Sequence, residues 1–219
     1  MADPAAVKKG VEAVVKAYGT IDHITDATKN RLDMGKEYKK KDFPVDGIRR
    51  YLEPGPIVLV SSRYKGKNNI MTMGWYTLMQ FTPSLLGCFI VGYNHSHEMI
   101  RKSKECVINL PTVDLLQKVI GIGNCHGNEV EKFDKFGLTP SKAKLVSCPL
   151  IKECYANFEC KVSDGRLLKK YSFFILEVVK AHVPQSPKYP RTAHYTGDGV
   201  FMLSGDHVGF PKKFRPENL

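Results

Sequence analysis

Apolar positions recur along this chain with two different periods, and the change from one to the other divides it. Between residues 4 and 18, Val7, Val11, Val14, Val15 and Tyr18 fall three or four apart. That is the spacing of one helix face, even with Gly10 among them. From 19 to 42 the periodicity is lost and the segment closes in the charged run "KEYKKK", which reads as a connection. "FPVDGIRRYLEPG" then opens the second region as a short helix stopped by Pro54 and Gly55. The expected organisation is a helical extension with its connecting segment over 1–42, and one domain with an irregular tail over 43–219.

In the second region alternation takes over. "PIVLVSSR" and "IMTMGWYTLMQF" flank the Gly- and Asn-bearing "YKGKNN", which predicts a hairpin. "LLGCFIVGY" has few polar positions and reads as a strand buried on both faces. "HEMIRKS" reads as a short helix and "ECVINL" as the strand after it. "TVDLLQKVIGIG" fits a helix with Thr112 as its cap, and "NEVEKFDKFG" fits another ending at Gly137. "NFECKVSD" and "SFFILEVVKAHV" form a second hairpin-like pair, and the tail from Pro184 has no regular pattern. These elements predict a mainly β fold, an antiparallel barrel with peripheral helices.

Composition narrows the class. A chain of 219 residues with 42% hydrophobic and 25% charged residues buries a proper core and is not disordered. Its longest apolar runs fall far short of the ~20 residues that a membrane helix needs. Residues 1–20 hold no continuous hydrophobic stretch, so the expectation is a cytoplasmic protein without a membrane partner. In that setting the six cysteines stay reduced. Cys88, Cys106 and Cys160 lie in apolar runs, where a thiol acts as a small hydrophobe. The metal alternatives are Cys148, Cys154 and Cys160, or Cys125 with His126; without a C-x-x-C pair, no metal site is expected. The net charge of +11 comes without the basic–aromatic interleaving of a nucleic-acid surface. It fits a solvated surface, or a field that attracts phosphorylated ligands or acidic electron-transfer proteins.

The candidate chemistry sits at the ends of the strands. "NHSHEMI" puts Ser96 and His97 at a helix start, where free N–H groups and a hydroxyl suit a phosphate. The alternative is that Ser96 only caps the helix and the histidines are solvated. Lys132 in "EVEKF" gains meaning only if its helix meets the same pocket. Asn69, Met71 and Trp75 share strand parity, with Thr72 beside them, giving an apolar floor and polar rim for a flat heterocycle. A core role for Trp75 is the alternative. There is no G-x-S-x-G elbow, and adjacency of Cys125 and His126 says little of a nucleophile and its base. "GIGNCHG" follows a helix and is not a dinucleotide fingerprint. The residues alone lead to a β-barrel that binds a phosphorylated, planar ligand.

Taken in series, "EPGPIVLVSS", "NIMTMGW", "NHSHEMIRKS", "ECVINLPT", "NEVEKFDKFGLTP" and "CPLIKECYANFECKV" resemble the flavin reductase-like family over about residues 43–183. These are FMN-binding split-barrel proteins that include flavoredoxin. The resemblance implies an antiparallel, Greek-key split barrel with FMN at its edge, in a homodimer whose second subunit helps enclose the cofactor. It implies that Asn69, Met71, Thr72 and Trp75 lie along the flavin, and that Ser96, with His97 beside it, and Lys132 serve the phosphate. Tyr195 and Phe201 in "HYTGDGVF" are further candidate cofactor contacts, and Tyr171 stands where the family often has a histidine. The implied activity passes electrons from NADH or NADPH through FMN to flavin, ferric iron or a protein acceptor. The chemistry belongs to the flavin and no side chain is assigned as acid, base or nucleophile. The alternative is an FMN-holding electron carrier reduced by an acidic protein donor, and a third reading is a barrel that holds a different ligand.

Overall fold

A computed structural model of the protein describes residues 55–207, together with Lys40 and Pro44. The helix expected over 4–18, its connection and the short helix of "FPVDGIRRYLEPG" lie outside the described residues. Strand β1 (Val58–Tyr64) pairs antiparallel with β2 (Lys67–Met73), from Val58 opposite Met73 to Tyr64 opposite Lys67. Lys65 and Gly66 between them have φ of 48° and 80°. Two successive positive φ values give the two-residue turn whose twist matches the flanking strands.

"IMTMGWYTLMQF" is not one strand. It breaks at Gly74 and Trp75, and its second half is β3 (Tyr76–Gln80), which returns as β4 (Leu85–Phe89). Helix α1 (His95–Ser103) and β5 (Glu105–Leu110) follow. A 3-10 turn over Val113–Leu115 leads into helix α2 (Leu116–Gly123). Thr112 makes no capping bond there, because its hydroxyl donates to the Asp114 carboxylate instead. Helix α3 is only Lys132–Lys135, closed by Gly137 at φ 54°. Two short strands, β6 (Pro140–Ser141) and β7 (Leu150–Ile151), pair with each other. Then come β8 (Ala156–Asp164), helix α4 (Leu168–Tyr171) and β9 (Phe173–His182). The tail, expected to be irregular, contains a further hairpin of β10 (Ala193–Gly197) and β11 (Val200–Leu203).

The principal sheet has seven strands in the order β2-β1-β5-β8-β9-β4-β3, every neighbouring pair antiparallel. The chain crosses from β4 to β5, between the two halves of the sheet, by way of α1, which gives the mainly β, Greek-key character. Alternation along β1 and β2 separates two cores. Val58, Val60, Met71 and Met73 join Phe174 and the wholly buried Cys88, Cys106 and Cys160. Leu59 and Ile70, on the other face, meet Val119 and Ile122 of α2 and Phe133 of α3. The edge strand β2 is thus covered, with α2 and α3 packed against it. No helix among the described residues is long and apolar enough to cross a membrane.

Candidate functional site

A cavity of about 300 Å3 opens where β2, the start of α1, the loop leaving α2 and the start of α3 converge. Asn69, Met71 and Thr72 come from β2, Tyr93 to His95 from the α1 entry, Ile122 to Gly127 from the loop, and Lys132 from α3. Each polar wall residue has a local reason for its position. Asn94 caps α1, its side-chain oxygen accepting the Ser96 N–H at 2.9 Å. The serine thereby enters the helix two residues inside the cap, fully buried, and its hydroxyl accepts from Asn69 Nδ2 at 2.8 Å. That bond fixes the Asn69 amide and leaves Oδ1 buried without a partner. An unpaired buried acceptor is costly, and in a native site it marks a group awaiting a donor.

The loop over this amide is shaped to its contour. A Cβ on Gly127 would lie 2.1 Å from Asn69 Oδ1, so no larger residue fits there without displacing the loop or the amide. Thr72 donates to the carbonyl of Val119 at 2.7 Å, tying α2 to β2. Lys132 is 5% exposed, and Nζ donates to the Ile122 carbonyl at 2.9 Å, which closes the loop at its base. An ammonium has three N–H donors, so two remain for other acceptors. Burial pulls the Lys132 pKa below the usual lysine value; Cys125 opposes this and Lys135 adds to it. Among the described residues no aspartate or glutamate lines the cavity, whereas Lys132, His95 and His126 do. The wall suits an anion with donor groups of its own.

Of the residues singled out in the sequence, the structure brings Asn69, Met71, Thr72 and Lys132 to this cavity. Ser96 stands behind Asn69 and acts through it. His97 does not line the cavity; its ring lies edge-on to Phe174 with centroids 5.1 Å apart, and Nε2 is buried without a partner. Burial, and then the nearby Arg101, hold its pKa below the ordinary histidine value, with Glu98 opposing. Trp75 does not share a face with Asn69 and Met71, because the strand ends at Met73. Its ring lies 5.2 Å from that of Phe89 and is 47% exposed, away from the lining. Tyr195 and Phe201 pair across β10 and β11, ring centroids 5.0 Å apart, and pack on the second core without lining the cavity. Tyr171 is exposed on α4.

The sequence reading passed over the rest of the wall. The sequence offers Cys125 with His126 only as a nucleophile pair or metal ligands, whereas the structure makes "NCHG" a glycine-closed loop of the wall. Asn94, the preferred type of helix cap, is the first residue of "NHSHEMI" and takes the capping position considered for Ser96. Gly127, four residues after Gly123, was the available signal for a backbone that approaches another group closely.

Comparison with known proteins gives the family and the fold. The family model described as flavin reductase like domain matches residues 49–201, more than half of the chain. An uncharacterized protein of Archaeoglobus fulgidus is 35% identical over 135 residues, spanning 62% of this chain and 76% of its own length. The crystal structure of an FMN-binding domain of a flavin reductases-like enzyme from Shewanella baltica superposes with a TM-score of 0.65 at 26% identity, covering 77% of this chain and 95% of that one. Flavoredoxin from Methanosarcina acetivorans has a TM-score of 0.69 at 22% identity, covering 83% and 100%, and so shares the fold. With its antiparallel split barrel and the matched 49–201 segment, the chain belongs to the flavin reductase-like family.

Proposed function

We propose that the protein is an FMN-dependent oxidoreductase that takes electrons from NADH or NADPH and passes them to flavin, ferric iron or a protein acceptor. The observation that carries this reading is Lys132, a nearly buried cation facing a cavity that no carboxylate lines among the described residues. The residues present fit a flavin mononucleotide. A cation with two uncommitted N–H donors suits the phosphate. The unpaired Asn69 Oδ1 suits an N–H or O–H donor of the ligand, and Met71 with Ile122 supplies an apolar floor for a ring. At about 300 Å3 the cavity is at the low end of small-molecule sites, with exposed Tyr93 and His95 at its rim.

Bound FMN would supply hydride acceptance from the nicotinamide and onward transfer of the electrons. The chain's own groups bind and orient. Lys132 holds the phosphate, Asn69 fixes the polar edge of the ligand, and Ser96 keeps the Asn69 amide in place. Thr72 holds α2 against β2, so the apolar floor excludes water.

The working unit in this reading is a homodimer. At the far edge of the sheet, Trp75, Leu78, Met79 and Phe81 are 47%, 71%, 48% and 91% exposed on and beside β3. An exposed apolar edge strand of this kind is a surface for a partner, here a second copy. The decisive test is anaerobic: add NADH or NADPH to the FMN-loaded protein and follow the flavin's visible absorbance. Bleaching by either nucleotide is the expected result. A flavin that stays oxidised with both, yet is reduced by an acidic protein donor in a salt-sensitive way, replaces the reductase with an electron carrier.

A further inference from the structure

Asn68, the neighbour of Asn69 on β2, points to the opposite face of the strand, and there too a side-chain oxygen is buried without a partner. It lines a second cavity of about 450 Å3, between the β1–β2 hairpin and the segment from Pro140 to Pro149. Arg63 is the register partner of Asn68 across the hairpin, so the two side chains stand on one face beside each other. Lys142 enters from the segment opposite, with Ser141 next to it. Among the described residues, neither Arg63 nor Lys142 takes part in an ion pair and no carboxylate lines this cavity.

The far wall is held from behind. Glu159, with none of its surface exposed, accepts from the backbone N–H groups of Lys144, Leu145 and Val146 at 2.9, 2.6 and 3.1 Å. Its other partner is His182 Nε2 at 2.7 Å. Glu105 accepts from the N–H and the hydroxyl of Ser147, both at 2.8 Å. Ser61 donates to the Pro149 carbonyl, which anchors the end of the segment to β1. Glu159 and Glu105 are thus engaged by backbone donors of the segment, with His182 completing Glu159. What faces the cavity is two cations and one unsatisfied acceptor.

We propose that this cavity is a second ligand site, separate from the one closed by Lys132, and that it takes a phosphorylated small molecule with a hydroxyl or amine donor beside its phosphate. Arg63 supplies a planar fork for phosphate oxygens and Lys142 a mobile second charge. Asn68 Oδ1 accepts the ligand's donor, which a bare anion-binding surface would not require. A sugar phosphate and a nucleoside monophosphate both carry this chemistry.

The test is calorimetric titration of the full chain with ribose 5-phosphate and with adenosine 5′-monophosphate, with and without saturating FMN. At least one should bind at a single site whose occupancy FMN does not change. Arg63→Gln and Lys142→Gln should each weaken it roughly tenfold, the scale of one charge-assisted bond. Both substitutions are at exposed positions, so folding survives them. Lys132→Gln should leave this binding unchanged whether or not it weakens FMN, which separates this site from the proposed flavin site. Three results would overturn the proposal: no binding of either probe at millimolar concentration, displacement of the probe by FMN, or unaltered affinity in both the Arg63 and Lys142 variants.

Discussion

At one edge of the seven-stranded sheet, β2 buries Asn69 at 2% exposure; at the other, Leu78 of β3 is 71% exposed and Phe81, just past its end, 91%. Burial and polarity are inverted between them. The covered edge contains the amide, and the open edge contains the large apolar side chains. Burying an amide is unfavourable unless its hydrogen bonds are made, and exposing a row of apolar side chains forgoes their transfer energy. In the function proposed above, each inversion is completed by something else: a polar ligand at β2, a second copy at β3. The contrast is the sharper because both strands come from one continuous alternating stretch of sequence, split at Gly74 and Trp75.

The largest expected effect is at the open edge. Leu78→Asp combined with Phe81→Asp should turn a dimer into a monomer by light scattering. Each large side chain is worth about 1.5–3 kcal/mol when buried, so losing two per protomer weakens association by well over ~100-fold. A variant that remains dimeric would remove β3 from the interface. The corresponding break at the covered edge is Lys132→Ala. Losing a charge-assisted bond of about 1.5–3 kcal/mol should weaken FMN by about 10- to 100-fold. Riboflavin, which has no phosphate, should be little affected, and equal weakening of both ligands would sink the phosphate role.

The difference between the edges also explains what the sequence could disclose. The hairpin of β1 and β2, the pairing of β8 with β9 and the burial of Cys88, Cys106 and Cys160 all follow from local alternation and apolar runs. The destination of β3 does not. Alternation continues through Gly74 and Trp75, and only the non-local pairing of β4 with β9 carries β3 to the far edge. Trp75 was therefore placed with Asn69 on a face it does not share. Lys132 was legible as a residue type and Asn69 as a polar interruption, but their convergence depends on α2 and α3 folding over β2. Ser96 is expected at the phosphate as a hydroxyl beside the free N–H groups of a helix start, with capping as the alternative. Asn94 is the cap, and Ser96, two residues further on, turns its hydroxyl toward Asn69.

A finer test asks how closely the covered edge is fitted. Gly127→Ala places a methyl group 2.1 Å from Asn69 Oδ1 unless the loop moves. FMN and riboflavin should both weaken by roughly tenfold, since a shifted amide or loop affects the ligand whether or not it bears a phosphate. Ser96→Ala should also affect both, by a smaller factor, because it frees the Asn69 amide without changing the charge of the cavity. A loss confined to FMN in the serine variant would return Ser96 to direct phosphate contact.

The smallest effect is one of pH, and it separates charge from shape. Burial lowers the pKa of Lys132, so its ammonium deprotonates at lower pH than an exposed lysine. Between the folded and unfolded values the unfolded chain binds the extra proton, so this group makes the ligand-free protein more stable as pH rises through that interval. FMN affinity runs the opposite way: full below the lowered pKa, where the ammonium is present, and declining severalfold above it. Above about pH 7 the phosphate's own second ionisation is nearly complete, because its pKa is about 6, and it adds little to the trend. Riboflavin titrated over the same range should stay flat. Lys132→Arg should abolish the decline even if it lowers affinity, because a guanidinium keeps its charge throughout. A decline that persists in the arginine variant would place the titrating group elsewhere and would leave the covered edge dependent on shape more than on the charge of Lys132.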